Sequence, residues 1–341
     1  MKCTIGTRYF RLDLCLIAVT AVAIVSGVPT RTVRAAFPGT NGQISFGLFN
    51  PAIGDTQIWV SNADGSKQFQ VTTLPSEMSD WSPDGSKIAF DFFDGQTVQI
   101  GTISPTGTGF FQLTTAENVF HGAPAWSPDG SLLAIESDAG NFPAGQGIYT
   151  IDSSTGSAVT RVTANPFSSV DTNPRWSPNG QWIVFTRLKV PMTMLRRNFR
   201  QPGGVSALFL VHPDGSSLQQ LTRWGLSADF ADWSPDGSKL VFVSSESLPI
   251  ASDIYTIGAD GSGLTLIVNS GVLKQGGGLG HPRWSPDGTK IIFDGSFGGG
   301  GVTPAPHGLW TVNPGGSGLT AIPAFSGVPA FFASWGTHHP Q

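Results

Sequence analysis

Two histidines and three carboxylates stand at related places in this chain, and together they have the chemistry of a divalent metal site. Glu77, His121, Asp171, Asp229 and His281, with Asn173 beside them, each precede a tryptophan by three to five residues. Neutral imidazole combined with carboxylate suits zinc or manganese. Their uneven offsets are equally those of a water-bound polar lining at strand ends. No Gly-x-Ser-x-Gly elbow occurs, and the glycine runs Gly276–Gly280 and Gly298–Gly301 precede neither a helix signal nor Lys-Ser/Thr. Triad chemistry and phosphate cradling are therefore not expected, and no residue is assigned a catalytic role.

A different chemistry collects between Arg187 and Gly204. Arg187, Lys189, Arg196, Arg197 and Arg200 alternate there with Met192, Met194, Leu195 and Phe199. Arginine and methionine with an aromatic is the composition of a protein interface. Arg187, Lys189, Met194, Arg196, Arg197, Phe199 and Arg200 are the expected partner-binding residues, on what is otherwise a solvated insertion.

The elements that must position both groups are read from a repeat. Trp-Ser-Pro-Asp-Gly occurs at Trp81, Trp126, Trp233 and Trp284, and with Asn179 for Asp at Trp176. An apolar run follows each time, such as Ile88-Ala89-Phe90 or Ile291-Ile292-Phe293. Proline presets the second position of a tight turn, Asp or Asn tolerates the third, and glycine relieves the fourth. Each tryptophan strand thus reverses at the turn and returns as a β-branched, aromatic strand. A second hairpin signal, Asp-Gly-Ser at Asp64, Asp214 and Asp260, separates two further strands in each unit. Four antiparallel strands recurring at this period make propeller blades.

The ends fix the number of blades. Asn41-Gly42-Gln43-Ile44-Ser45-Phe46 is a turn and strand without its leading tryptophan strand, and Phe331 to Gly336 is a tryptophan strand without its turn. Joining them completes the first blade and removes an open sheet edge. The expected fold is all-β: one six-bladed propeller over residues 36–341, closed by the C-terminal strand.

Trp-Ser-Pro-Asp-Gly-x-Lys-Ile-x-Phe followed by Ile-Tyr-x-x-x-x-Asp-Gly resembles the TolB-type, WD-like propeller repeat, and the resemblance covers nearly all of residues 37–336. It implies an exported propeller that works by binding proteins.

Residues 1–35 read as an export signal, with Lys2, Arg8 and Arg11 before a mostly apolar run and Val33-Arg34-Ala35 before the cleavage point. Cys3 and Cys15 both lie within it, so the processed chain holds no thiol and no disulfide. The segment also carries five of the 19 basic residues and one of the 23 acidic ones, which leaves a net charge of −8. That balance argues against nucleic acid as a partner. The reading is a non-enzymatic periplasmic or extracellular scaffold, monomeric, without a membrane span after cleavage and without a cofactor, that binds a protein through its variable loops. The alternatives are a metal-assisted polysaccharide lyase or hydrolase using the funnel carboxylates and histidines, and a carbohydrate-binding module. The second would use the funnel and loop phenylalanines Phe92, Phe93, Phe142 and Phe297 for a glycan.

Overall fold

The repeated turn is held by its own side chains. Ser82 Oγ donates to Asp84 Oδ1 (2.6 Å), Ser86 N–H donates to the same oxygen (3.0 Å), and Lys87 N–H donates to Ser82 Oγ (2.9 Å). Gly85 donates its N–H to Ser82 O at a φ of +68°, the left-handed region that a side chain would strain. Asn179 fills the aspartate's place without loss, since its Oδ1 accepts from Ser177 Oγ (2.7 Å) and Gln181 N–H (3.0 Å).

These turns generate antiparallel four-stranded blades. The computed structural model describes residues 39–139, 145–164, 166, 169–189, 205–248, 251–270, 278–296 and 307–338. Blade 1 contains β1 (Thr40–Asn50), β2 (Asp55–Ser61) and β3 (Phe69–Gln70). Blade 2 contains β4 (Ser76–Trp81), β5 (Ile88–Phe93), β6 (Val98–Ile103) and β7 (Phe111–Gln112). Blade 3 runs through β8 (His121–Trp126), β9 (Leu132–Ser137), β10 (Gly147–Asp152) and β11 (Thr160–Arg161). Blade 4 has β12 (Ser169–Trp176), β13 (Ile183–Lys189), β14 (Val205–Val211) and β15 (Gln219–Gln220). In blade 5 these are β16 (Ala228–Trp233), β17 (Lys239–Leu248), β18 (Ala251–Gly258) and β19 (Thr265–Val268). Blade 6 has β20 (Leu279–Trp284), β21 (Ile291–Ser296), β22 (His307–Val312) and β23 (Thr320–Ala321). Finally β24 (Ala330–His338) pairs antiparallel with β1, so that sheet runs β24-β1-β2-β3 and the six-bladed ring closes as expected.

The core lies between blades, and the tryptophans build it. Trp126 packs with Ile100 and Leu113 of blade 2, Trp176 with Ile148 and Val162 of blade 3, and Trp233 with Leu208 and Leu210 of blade 4. Trp335 shares a cluster with Ile292, Leu309 and Ile322 of blade 6, which joins the last blade to the first. Each blade's innermost strand therefore covers the apolar face of the blade before it. The short outer strands are fastened by a threonine: Thr72, Thr114, Thr163 and Thr222 accept N–H groups of Ile58, Ile100, Ile148 and Leu208 at 2.8–2.9 Å.

The innermost strands all run the same way, so both turn types fall on one face. The opposite face receives the connections between second and third strands, such as residues 51–54 between β1 and β2. The expected export signal (1–35) and the expected contacts Met194, Arg196, Arg197, Phe199 and Arg200 lie outside the described residues, as do Phe142 and Phe297. Among the described residues no helix is long and apolar enough to cross a membrane.

Candidate functional site

Each innermost strand enters the ring through a bulge. Pairing skips between Ser76 and Ser79, Gly122 and Ala125, Thr172 and Arg175, Asp229 and Asp232, and Gly280 and Arg283. The residue three before the tryptophan takes a left-handed backbone in five blades: Ala123, Asn173, Phe230, His281 and Phe332, with φ of +48° to +55°. For side chains of this size such a backbone is costly and must be held by its surroundings. The bulge turns these residues toward the ring's axis. The His281 ring lies 4.2 Å from Phe230 and 4.1 Å from Phe332, centroid to centroid. With Met78, Asn173, Arg175 and Arg283 they leave a space of about 20 Å³, enough for one water.

What holds the bulges was not legible from the tryptophan strands alone. Ten residues after the tryptophan, on the second strand, stands a carboxylate in three blades. Asp91 accepts N–H from Glu77 (3.2 Å) and Met78 (2.9 Å) of its own blade and from Ala123 (3.1 Å) of the next. Glu136 accepts from Asn173 N–H of the next blade (3.3 Å), and Asp294 from Phe332 N–H (3.2 Å) while also taking His281 Nδ1 (2.7 Å). The available signal was a charged residue interrupting an apolar run, as in Ala89-Phe90-Asp91-Phe92.

Below the bulges, the residue just before the tryptophan is charged in four blades: Asp80, Arg175, Asp232 and Arg283. Asp80 Oδ2 accepts Trp126 N–H (2.9 Å), Asp232 Oδ2 accepts Trp284 N–H (2.8 Å), and Arg283 Nη1 stands 3.5 Å from Asp232. Burial pushes Asp80 upward and Asp232 up to about 7, against the opposing pull of Arg175.

Above these residues opens a cup of about 450 Å³. Glu77, Asp91, Glu136, Asn173 and Asp229 line its depth, and Phe93 and Phe120 stand half-exposed among its lining. Asp229 Oδ1 accepts from Thr186 Oγ1 (2.8 Å), Asn173 Nδ2 (3.0 Å) and Phe230 N–H (2.7 Å). The carboxylates burden one another. Burial, then the charges of Asp91 and Asp229, push Glu136 up to about 8. Burial raises Asp91 to about 6, with Glu77 adding to the shift, and burial also raises Asp229.

A pH dependence follows. Glu136 titrates near 4.5 when unfolded and near 8 when folded. The fold holds the proton through that window, so its contribution to stability is complete below about 4.5 and is lost as pH rises through 8. Glu136→Gln is expected to leave stability at pH 4 nearly unchanged and to raise it by about 1–3 kcal/mol at pH 9. Urea denaturation at the two pH values measures this, and equal effects at both would contradict it.

The offset from tryptophan sorts the residues first singled out. At four, Glu77 and Asp229 reach the cup; at three, Asn173 and His281 reach the axis; at five, His121 and Asp171 do neither. Asp171 is fully buried and takes a bidentate pair from Arg187 (Nε 2.6 Å, Nη2 2.7 Å). Arg187, expected as a loop contact, is instead buried in this pair and lies over Phe185 and Phe209. His121 is buried with no partner on Nδ1 among the described residues, and burial lowers its pKa to about 4. Lys189 Nζ sits 4.0 Å over the Trp224 ring. Among the described residues, no three His, Cys, Asp or Glu side chains come together as a metal site would require.

Comparison with known proteins places this geometry. Residues 48–190 match the TolB beta propeller domain family. A relative in Agrobacterium fabrum, an uncharacterized protein, is 27% identical over 226 residues, covering 62% of this chain and 67% of its own. An uncharacterized peptidase of Bacillus subtilis is 24% identical over 204 residues, half of this chain but only 28% of that protein. The crystal structure of TolB from Acinetobacter baumannii superposes with a TM-score of 0.66 at 19% identity, over 87% of this chain and 67% of that one.

Proposed function

We propose that this chain, a TolB-like β-propeller protein, is a non-enzymatic binding scaffold outside the cytoplasm that receives a basic segment of a partner protein in its funnel. The observation that carries this reading is the cup itself. Asp55, Glu77, Asp91, Glu136 and Asp229 line it, and no Lys or Arg does among the described residues. Carboxylates that raise one another's pKa gain most from an entering cation, and the phenylalanines among the lining offer faces to the same cation. A cleft of one charge sign with low-dielectric walls also speeds the approach of an opposite charge. The basic insertion that leaves β13 at Lys189 starts from the same face and supplies a second contact surface in this reading.

The test is retention of proteins from the native envelope or secreted fraction on immobilised protein. The double variant Asp55→Lys/Glu77→Lys reverses charge at two half-buried cup positions without touching the bulge acceptors. A partner held by the unaltered chain, released by salt and lost from the double variant is the expected result. Equal retention by both forms would remove the funnel from the interface.

A further inference from the structure

We propose that the groove between blades 4 and 5 on the short-turn face is a binding site for a neutral glycan, with Trp182 as its stacking platform. This site is separate from the cup and does not rest on it.

The repeat is broken here in one specific way. The second residue after the turn glycine is Lys87, Lys239 or Lys290 in blades 2, 5 and 6, and Leu132 in blade 3. In blade 6, Lys290 Nζ donates to Asn313 Oδ1 (2.7 Å) across the hairpin. In blade 4 the corresponding pair is Trp182 and His212, with ring centroids 4.1 Å apart at 71°. The indole packs on the cluster around Trp233, yet the side chain is only partly buried and lines the groove. Its Nε1–H has no acceptor among the described residues.

The groove beside it has a volume of about 670 Å³, room for several sugar rings. Its walls carry Asn179 and Gln219 from blade 4 and Asp236 and Asp260 from blade 5. Asp260 Oδ1 is taken by Ser262, and Oδ2 has no donor among the described residues. The Gln219 amide is likewise free there. An aromatic face flanked by amides and carboxylates matches a pyranose, which offers a C–H face to the ring and hydroxyl donors at its edge.

The polar wall is set to accept sugar hydroxyls. Both carboxylates already accept the turn serines, Ser234 and Ser238 on Asp236 and Ser262 on Asp260, which fixes their orientation in the groove wall. The serine hydroxyls and N–H groups also hold both below the usual carboxylate range, ready as acceptors. The same charges repel uronates.

The test titrates the full chain with cellohexaose, maltohexaose, chitohexaose, trigalacturonate and pentalysine, by calorimetry and by the Trp182 indole N–H signal in NMR. At least one neutral hexaose is expected to bind with a submillimolar Kd and shift that signal, while trigalacturonate does not. Trp182→Lys, which installs the residue three other blades carry, is expected to weaken binding at least about tenfold with its melting temperature preserved. Lys87→Ala, at the corresponding position of blade 2, should leave hexaose binding unchanged. The proposal is overturned if no neutral hexaose shifts the Trp182 signal at millimolar concentration, if binding survives Trp182→Lys, or if pentalysine alone shifts it.

Discussion

A chain ending at Gly327, and so lacking β24, is expected to lose the cooperative thermal transition of the intact protein. That strand supplies the innermost position of blade 1, pairing with β1 from Thr40–His338 to Leu48–Ala330. Trp335, Ala330 and Ala333 are buried against Ile292, Leu309, Ile322 and Phe325, so their removal uncovers the apolar face of blade 6. A buried tryptophan alone is worth about 3–5 kcal/mol on truncation. Total stability of a domain is only about 5–15 kcal/mol. The cut also exposes β1 as an unpaired edge, which invites association. The fit on the other side is close: a Cβ on Gly336 would stand 2.7 Å from the Trp81 ring, so β24 also seats the first repeated tryptophan. Adding a peptide of residues 328–341 is expected to restore the near-ultraviolet signal of packed aromatics. A truncated chain that melts cooperatively within a few degrees of the intact one would show that the ring does not depend on this closure.

That closure was readable because its signals are local. A Ser-Pro-Asp-Gly turn is fixed by hydrogen bonds spanning five residues, so five copies of it declare five hairpins, and two complementary half-blades declare the sixth. The funnel is a different matter. Glu77 and Asp229 were singled out by place, but what they share with Asp91 and Glu136 arises only when strands from different blades meet at the axis. No neighbour in sequence announces that Ala123 N–H will need an acceptor 32 positions away. The left-handed residues were hidden for the same reason. Phe230 and Phe332 have no propensity for positive φ; ring geometry imposes it, with the Phe230 N–H held by Asp229 beside it and the Phe332 N–H by Asp294 of the blade before. Composition also misled at Arg187. It was grouped with the arginines that follow it, whereas strand pairing sets it across from Asp171.

Breaking that pair is expected to cost nearly as much as losing a tryptophan. Arg187 and Asp171 are 5% and 0% exposed, and their two hydrogen bonds at 2.6 and 2.7 Å are the geometry in which guanidinium and carboxylate satisfy each other. Phe185 and Phe209, whose rings lie 5.4 and 4.9 Å from the guanidinium carbon, leave an unpaired charge little access to water. Gln146 binds the Asp171 backbone N–H (2.8 Å), so the carboxylate is anchored and does not swing out to solvent. Removing one partner of such a pair typically costs about 3–5 kcal/mol, while replacing both by apolar groups is often neutral. Asp171→Asn and Arg187→Met should therefore each destabilise by about 3–5 kcal/mol, and Asp171→Leu/Arg187→Met should recover most of the loss. Urea denaturation of the three variants gives the coupling directly. The same hairpin launches the basic insertion, since β13 ends at Lys189, two residues beyond Arg187. A double variant that regains stability yet still binds the partner would show the pair to be purely structural. Single variants that lose less than about 1 kcal/mol would mean that water reaches the pair, as at a surface salt bridge.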